Sequence, residues 1–239
     1  MRVKKKDMDK FKNIIRTIIP EVILTFLLQK HRKFVFWYYL KKFMKNPEEM
    51  LNKEDVISKL TYGWGNEGWS APNHYLMNVL KHAEFAKEPI LECGSGLTTL
   101  LLGIISGRTK STVWTLEHNK FWGSKIKALL NKHNIKTVNV FVKELSDYGD
   151  FFWYTPPLDL LPNNFGLVVC DGPPSDTKGG RYGLISIMKT KLSPGCIILL
   201  DDYEREAEQL IVKQWVNELS ADFIKVGEHR PFAKITIPV

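Results

Sequence analysis

The spacing of apolar and polar positions changes twice along this chain, and the changes divide it into three parts. Up to about residue 47, apolar and basic clusters alternate at helical spacing, which predicts a helical arm. Its second half, KHRKFVFWYYLKKFMK (30–45), sets five aromatics between cationic clusters. That pattern fits a basic helix lying on an acidic membrane surface or a partner. It fits equally a pair of helices whose aromatic face covers the main domain or completes a homo-oligomer. Asn46-Pro47 breaks the pattern, and EEMLNKEDVISKL (48–60) reads as a short polar helix. In residues 61–76, glycines with Trp64 and Trp69 mark a loop, and Ser70-Ala71-Pro72 reads as the cap and first turn of a helix to about Phe85.

From Pro89 onward, over residues 89–239, the pattern becomes regular. Strand-like apolar runs fall at 89–93, 112–116, 137–142, 165–170 and 196–200, separated by helical stretches at about 98–106, 120–133, 182–191 and 204–219. This alternation predicts a parallel sheet with helices on both faces. The last two runs, ADFIKV (221–226) and FAKITIP (232–238), predict an antiparallel hairpin at one edge. The fold class expected is therefore α/β, a Rossmann-like seven-stranded, mostly parallel sheet with a helical arm and a helical lead-in (48–88).

Charge changes the picture only after it is located. The formal net charge is +8, yet residues 1–45 hold 13 Lys/Arg against 3 Asp/Glu, and the remainder holds 21 against 23. The basicity belongs to the arm, so the main domain has no electrostatic footprint for tracking a phosphate backbone. Cys93, Cys170 and Cys196 lie in or beside apolar runs without CxxC spacing, which predicts buried reduced thiols and a cytoplasmic location. The most apolar stretch, IIPEVILTFLL (18–28), contains Glu21 and is too short to span a bilayer. It also lacks the cleavage site of a signal peptide. The arm leaves open a peripheral location at the inner membrane face.

The candidate chemistry begins with ILECGSGLTT (90–99), two glycines after a strand and before a helix. In an open parallel sheet this is where a ligand binds. The dinucleotide fingerprint needs a further glycine at position 99, which is Thr, and the P-loop signature is absent. Glu92 decides between ligands: a carboxylate there repels a pyrophosphate and attracts a cation. S-adenosylmethionine carries an ammonium and a sulfonium and no phosphate. A second strand, VWTLE, ends in Glu117, 23 residues beyond Gly94, where a carboxylate accepts ribose hydroxyls.

ECGSGLT followed by LEHN resembles the class I S-adenosylmethionine-dependent methyltransferases. The resemblance implies that Gly94, Ser95 and Gly96 let backbone approach the cofactor and that Glu92 sits near its ammonium. It further implies that Thr98 meets the carboxylate, Glu117 the ribose, and His118 and Ser146 the adenine. A second group of acids closes the next strands, Asp171 in FGLVVCDGPPS and Asp201-Asp202 in CIILLDDYER. Three carboxylates converging at one sheet edge repel each other unless a cation joins them or one keeps its proton, and oxygen-only ligands suit Mg²⁺ or Mn²⁺. The alternative is local, Asp202 capping the following helix and Asp171 opening a turn.

The pattern is similar to the metal-dependent small-molecule O-methyltransferases of the catechol and macrolide-sugar types. That implies Asp171, Asp201 and Asp202 as metal ligands and a saccharide or other small-molecule hydroxyl as acceptor. Where the catechol group carries a lysine base, this chain has Pro174, leaving Asp171, Lys178 on the loop, or no base beyond the metal. DGPP…GGRYG also looks like the glucuronoxylan methyltransferases, which implies Arg181 as the receptor of a substrate carboxylate. Trp64, Trp69 and Tyr203 are expected as pocket walls. The rival readings are a nucleic-acid methyltransferase using the basic arm, disfavoured because DGPPS splits the acid from the prolines and lacks the stacking aromatic, and a non-catalytic cofactor-binding scaffold.

Overall fold

Strand register brings the chemistry to one edge. The computed structural model describes residues 21–66 and 70–239. β1 (Ile90–Cys93) lies between β2 (Val113–Glu117) and β6 (Phe165–Cys170), pairing with both in parallel. β3 (Val138–Val142) pairs with β2, and β7 (Leu192–Leu200) with β6, also in parallel. The alignment is close: Cys93 stands beside Leu116 and Cys170, and Cys170 beside Leu200. The residues after these strands, 94–96, 118–119, 171–175 and 201–205, therefore leave the sheet side by side. The expected hairpin, β8 (Asp222–Val226) and β9 (Phe232–Thr236), completes the sheet antiparallel to β7, in the order β3-β2-β1-β6-β7-β9-β8.

Side chains alternate along the strands, so both faces are buried, as a parallel sheet requires. Ile90, Val113, Leu167, Val169 and Leu199 enter a core with α1 (Glu21–Lys45), α3 (Glu54–Trp64), α4 (Asn73–Glu84) and α5 (Leu97–Thr109), the short α2 (Pro47–Met50) linking α1 to α3. Leu91, Cys93, Val168, Cys170, Ile198 and Leu200 enter the opposite core. There they meet α7 (Gly183–Met188) and α8 (Glu206–Leu219). α6 (Lys120–Lys132) covers β3, and a two-stranded ribbon, β4 (Ser146–Asp147) with β5 (Phe152–Trp153), sits between β3 and β6 in the chain. All three cysteines are buried and free.

The described part of the arm is one helix, Glu21–Lys45. Phe36, Leu40 and Phe43, spaced for a single face, are buried against α3, each contributing roughly 1.5–3 kcal/mol. The contact is close at Gly63, where an added Cβ would lie 2.7 Å from the Phe36 backbone nitrogen. By contrast Val22, Ile23, Phe26, Leu27 and Leu28 are exposed. The portion of the arm before residue 21 lies outside the described residues.

Other boundaries move for local reasons. α4 starts at Asn73 with Pro72 outside it, and the Ser70 hydroxyl donates to the Asn66 carbonyl instead of capping. α8 starts at Glu206, because Asp202 takes a left-handed turn (φ 59°) before the chain can enter a helix. Asp202 is thus no helix cap. The stretch expected as a helix over 182–191 is α7 followed by a 3-10 turn at Lys189–Lys191.

Candidate active site

The loops after β1, β2, β6 and β7 enclose a cavity of about 570 Å³, a size suited to a small-molecule site. Gly94 turns the chain at φ 88°, where a side chain is strained, and packs so closely that an added Cβ would lie 3.3 Å from the Gly172 amide. Gly96 faces open space within the cavity, and its amide donates to Thr99 Oγ1 at 2.9 Å. Backbone is thereby presented to a ligand on one side of the loop.

Two carboxylates stand behind this loop. Glu117 is buried and accepts from the Ser95 amide (3.0 Å), the Ser95 hydroxyl (2.6 Å) and the Asn119 amide (2.7 Å). Those bonds tie the end of β2 to the glycine loop. Glu92 is buried in β1 and accepts from Thr115 Oγ1 at 2.8 Å through one oxygen, while its other oxygen, Oε1, has no partner among the described residues. Burial pushes its carboxyl up to about 8. A buried acceptor without a donor is costly unless a ligand satisfies it. Both glutamates line the cavity, as do Ser95, Thr98 and His118. His118 Nδ1 lies 3.3 Å from Glu117, and its ring is 6.3 Å from that of Tyr154.

The other end of the cavity holds Asp171, Asp201 and Asp202, each offering an oxygen within 4.8 Å of the others. Burial raises Asp171 to about 6, against the pull of Arg181, and raises Asp201 to about 8, with Asp171 adding to the effect. Asp201 Oδ1 is buried without a partner. Asp202 Oδ2 accepts from Arg181 (2.9 Å) and Arg205 (2.8 Å), and Arg230 lies 3.9 Å from Oδ1. One oxygen on each aspartate is left for a hard divalent cation, so the donor set fits one, with the arginines orienting Asp202 from behind.

Several expected residues fall elsewhere. Arg181 is buried and engaged with Asp202 and the carbonyls of Asp171 and Asp201, so it offers no fork to a substrate carboxylate. Lys178 donates to the Gly149 carbonyl at 2.6 Å and does not line the cavity; the position that does is Pro174. Ser146, in the small ribbon, bonds Thr155 and does not line the cavity. Tyr203 packs on Phe223 instead of forming a wall. Trp64 is a wall, edge-on to Trp122, and Trp69 lies outside the described residues.

Four contributors were not anticipated. Trp122 donates from its indole to the Ser95 carbonyl at 2.6 Å, bracing the glycine loop. Arg205 and Arg230 line the mouth. Tyr154 is buried at the cavity with its hydroxyl unpartnered, beside Gly172. Its only sequence signal is the aromatic run FFWY before Thr155-Pro156.

No protein-family model matches the sequence, and no curated protein matches it. Solved structures do resemble the fold. The SAH-bound methyltransferase PaMTH1 of Podospora anserina is 14% identical with a TM-score of 0.57, over 98% of this chain and 96% of that one. A candidate caffeoyl-CoA O-methyltransferase of Staphylococcus aureus is 13% identical with a TM-score of 0.57, over 82% and 98%. The SAM-bound O-methyltransferase TomG of Streptomyces achromogenes, involved in tomaymycin synthesis, is 14% identical with a TM-score of 0.53, over 88% and 99%. This chain has the Rossmann-like fold of the class I S-adenosylmethionine-dependent methyltransferases.

Proposed function

We propose that the chain transfers the methyl group of S-adenosylmethionine to a hydroxyl of a saccharide or other small molecule, with Mg²⁺ or Mn²⁺ held by Asp171, Asp201 and Asp202. The observation that carries this reading is the unpartnered buried oxygen of Glu92 beside the two glycines. An ammonium favours the carboxylate form of Glu92, a form that a pyrophosphate disfavours. The cofactor supplies an electrophilic methyl group and the cation a more acidic acceptor hydroxyl. The chain's own residues do the remaining work. Glu92 receives the ammonium and Glu117 the ribose hydroxyls. Gly94 and Gly96 admit the cofactor to the backbone, with Ser95 and Thr98 at its methionine end and His118 at the adenine. Asp171 faces the cavity as the acceptor of the hydroxyl proton, and Trp64 walls the acceptor side. A positioned acceptor and methyl donor gain most of their rate from alignment.

The test is labelled-methyl transfer to a panel of hydroxyl acceptors, with and without a chelator. Asp202→Ala should abolish transfer while cofactor affinity stays within about threefold. Activity that survives both chelation and this substitution would remove the cation from the account.

The free, buried thiols suit a reducing compartment, and we place the protein on the cytoplasmic side. Among the described residues no helix is long and apolar enough to cross a membrane. The exposed apolar segment Val22–Leu28, followed by exposed Lys30, Lys33, Lys41 and Lys42, has the charge and surface to rest on an acidic bilayer.

A further inference from the structure

The mouth of the cavity presents exposed arginines that the transfer reaction itself does not require. Arg181, Arg205 and Arg230 all line the acceptor end. Arg181 is buried and faces inward, and the acids that balance the cluster, Asp201, Asp202 and Glu208, are buried with it. Arg205 and Arg230 differ, with side chains 43% and 53% exposed. They come from separate elements, Arg205 from the loop between β7 and α8 and Arg230 from the β8–β9 turn. The turn is held in place, because His74 Nε2 donates to the Arg230 carbonyl at 3.1 Å.

Both guanidiniums have donors to spare. Each carries five N–H groups, and the one Asp202 carboxylate is shared among Arg181, Arg205 and Arg230. Arg205 also lies 3.9 Å from Glu208, too far for a hydrogen bond. Two guanidiniums converging at a cavity mouth match the planar, multi-acceptor geometry of carboxylate and phosphate. Asp201, Asp202 and Glu208 are buried and Asp171 is less exposed than either arginine, so an anion approaching from solvent meets Arg205 and Arg230 first.

We infer that the acceptor carries an anionic group, a carboxylate or a phosphate, which Arg205 and Arg230 hold at the mouth so that its hydroxyl points inward toward Asp171. This rests on the transferase reading above and narrows its acceptor class. It also assigns to these two residues the recognition that the sequence pattern placed on Arg181.

Calorimetric titration of the full chain, saturated with S-adenosylhomocysteine and Mg²⁺, separates the possibilities. The probes are matched sets on one skeleton: glucose, glucuronate and glucose 6-phosphate, and phenol with 4-hydroxybenzoate. At least one anionic member should bind about tenfold or more tighter than its neutral counterpart, and the carboxylate and phosphate arms identify the group. Arg230→Gln and Arg205→Gln should each cost that probe about tenfold, the value of one charge-assisted contact. Affinity for S-adenosylhomocysteine should not change. Arg230→Gln gives the cleaner result, because Arg230 is more exposed and farther from Asp202. If no anionic member exceeds its neutral counterpart, or the variants bind as the parent does, the inference is overturned. A failure of S-adenosylhomocysteine itself to bind would instead overturn the cofactor assignment.

Discussion

Replacing Glu92 with glutamine keeps the shape of the side chain and removes its charge. In the free protein the Glu92 carboxyl sits at about 8, driven there by burial, so roughly nine in ten molecules carry the neutral acid at pH 7. A cationic ligand favours the carboxylate. Cofactor binding should therefore expel about 0.9 proton from Glu92 at pH 7 and about 0.1 at pH 9. Calorimetry in buffers of different ionisation enthalpy reads this proton count, and subtracting the Glu92→Gln value removes protons released by the cofactor or other groups. Between pH 6 and 8 the parent should gain up to about tenfold in affinity per pH unit relative to the variant. The same substitution acts on stability with a defined sign. The folded carboxyl lies above its ordinary 4.5, so its contribution is fully present below pH 4.5 and lost as pH rises through about 8. At ~1.4 kcal/mol per pH unit the upper bound is ~5 kcal/mol, so Glu92→Gln should gain on the parent in chemical denaturation as pH rises from 4 to 9. Equal proton counts for parent and variant, with parallel affinity profiles, would refute the pairing of Glu92 with the ammonium.

Three further outcomes follow from the same geometry. Gly94→Ala forces a side chain into a left-handed turn at φ 88° against the Gly172 amide; urea denaturation should show a loss of about 1–2 kcal/mol, and an unchanged midpoint would contradict the geometry. Arg181→Met leaves Asp202 and Glu208 short of their buried cation and should cost ~3–5 kcal/mol, partly recovered when Asp202 is also replaced by Leu. Phe26→Glu with Leu27→Glu alters exposed positions on α1 and should abolish co-sedimentation with vesicles containing acidic lipid; retention as in the parent would remove the membrane from the account of the arm.

The sheet was legible in the sequence because its strands are buried on both faces and read as unbroken apolar runs between helices. Glu92, Gly94, Gly96 and Glu117 were legible because they sit at strand ends, where position in the chain fixes position in space. The same logic brought Asp171, Asp201 and Asp202 together. It failed over residues 143–164 and 172–181, where short ribbons and turns carry no periodicity. Lys178 was placed by its distance from Asp171 along the chain, yet its loop folds back to Gly149, and Ser146 turned into the ribbon. Arg181 was expected to receive a substrate carboxylate, because arginines seldom are fully buried; three acids that converge on it, Asp171 after β6, Asp202 after β7 and Glu208 on α8, make the exception. Arg205 and Arg230 lie 25 residues apart in the chain and meet only because β9 returns beside β7.

The central claim is that ECGSGLTT and its two glutamates hold S-adenosylmethionine. Titrating the purified protein with S-adenosylmethionine, and in parallel with NAD⁺, tests it most directly. The account predicts micromolar binding of the first and none of the second. Binding of NAD⁺ in preference, or of neither with or without Mg²⁺, would contradict it.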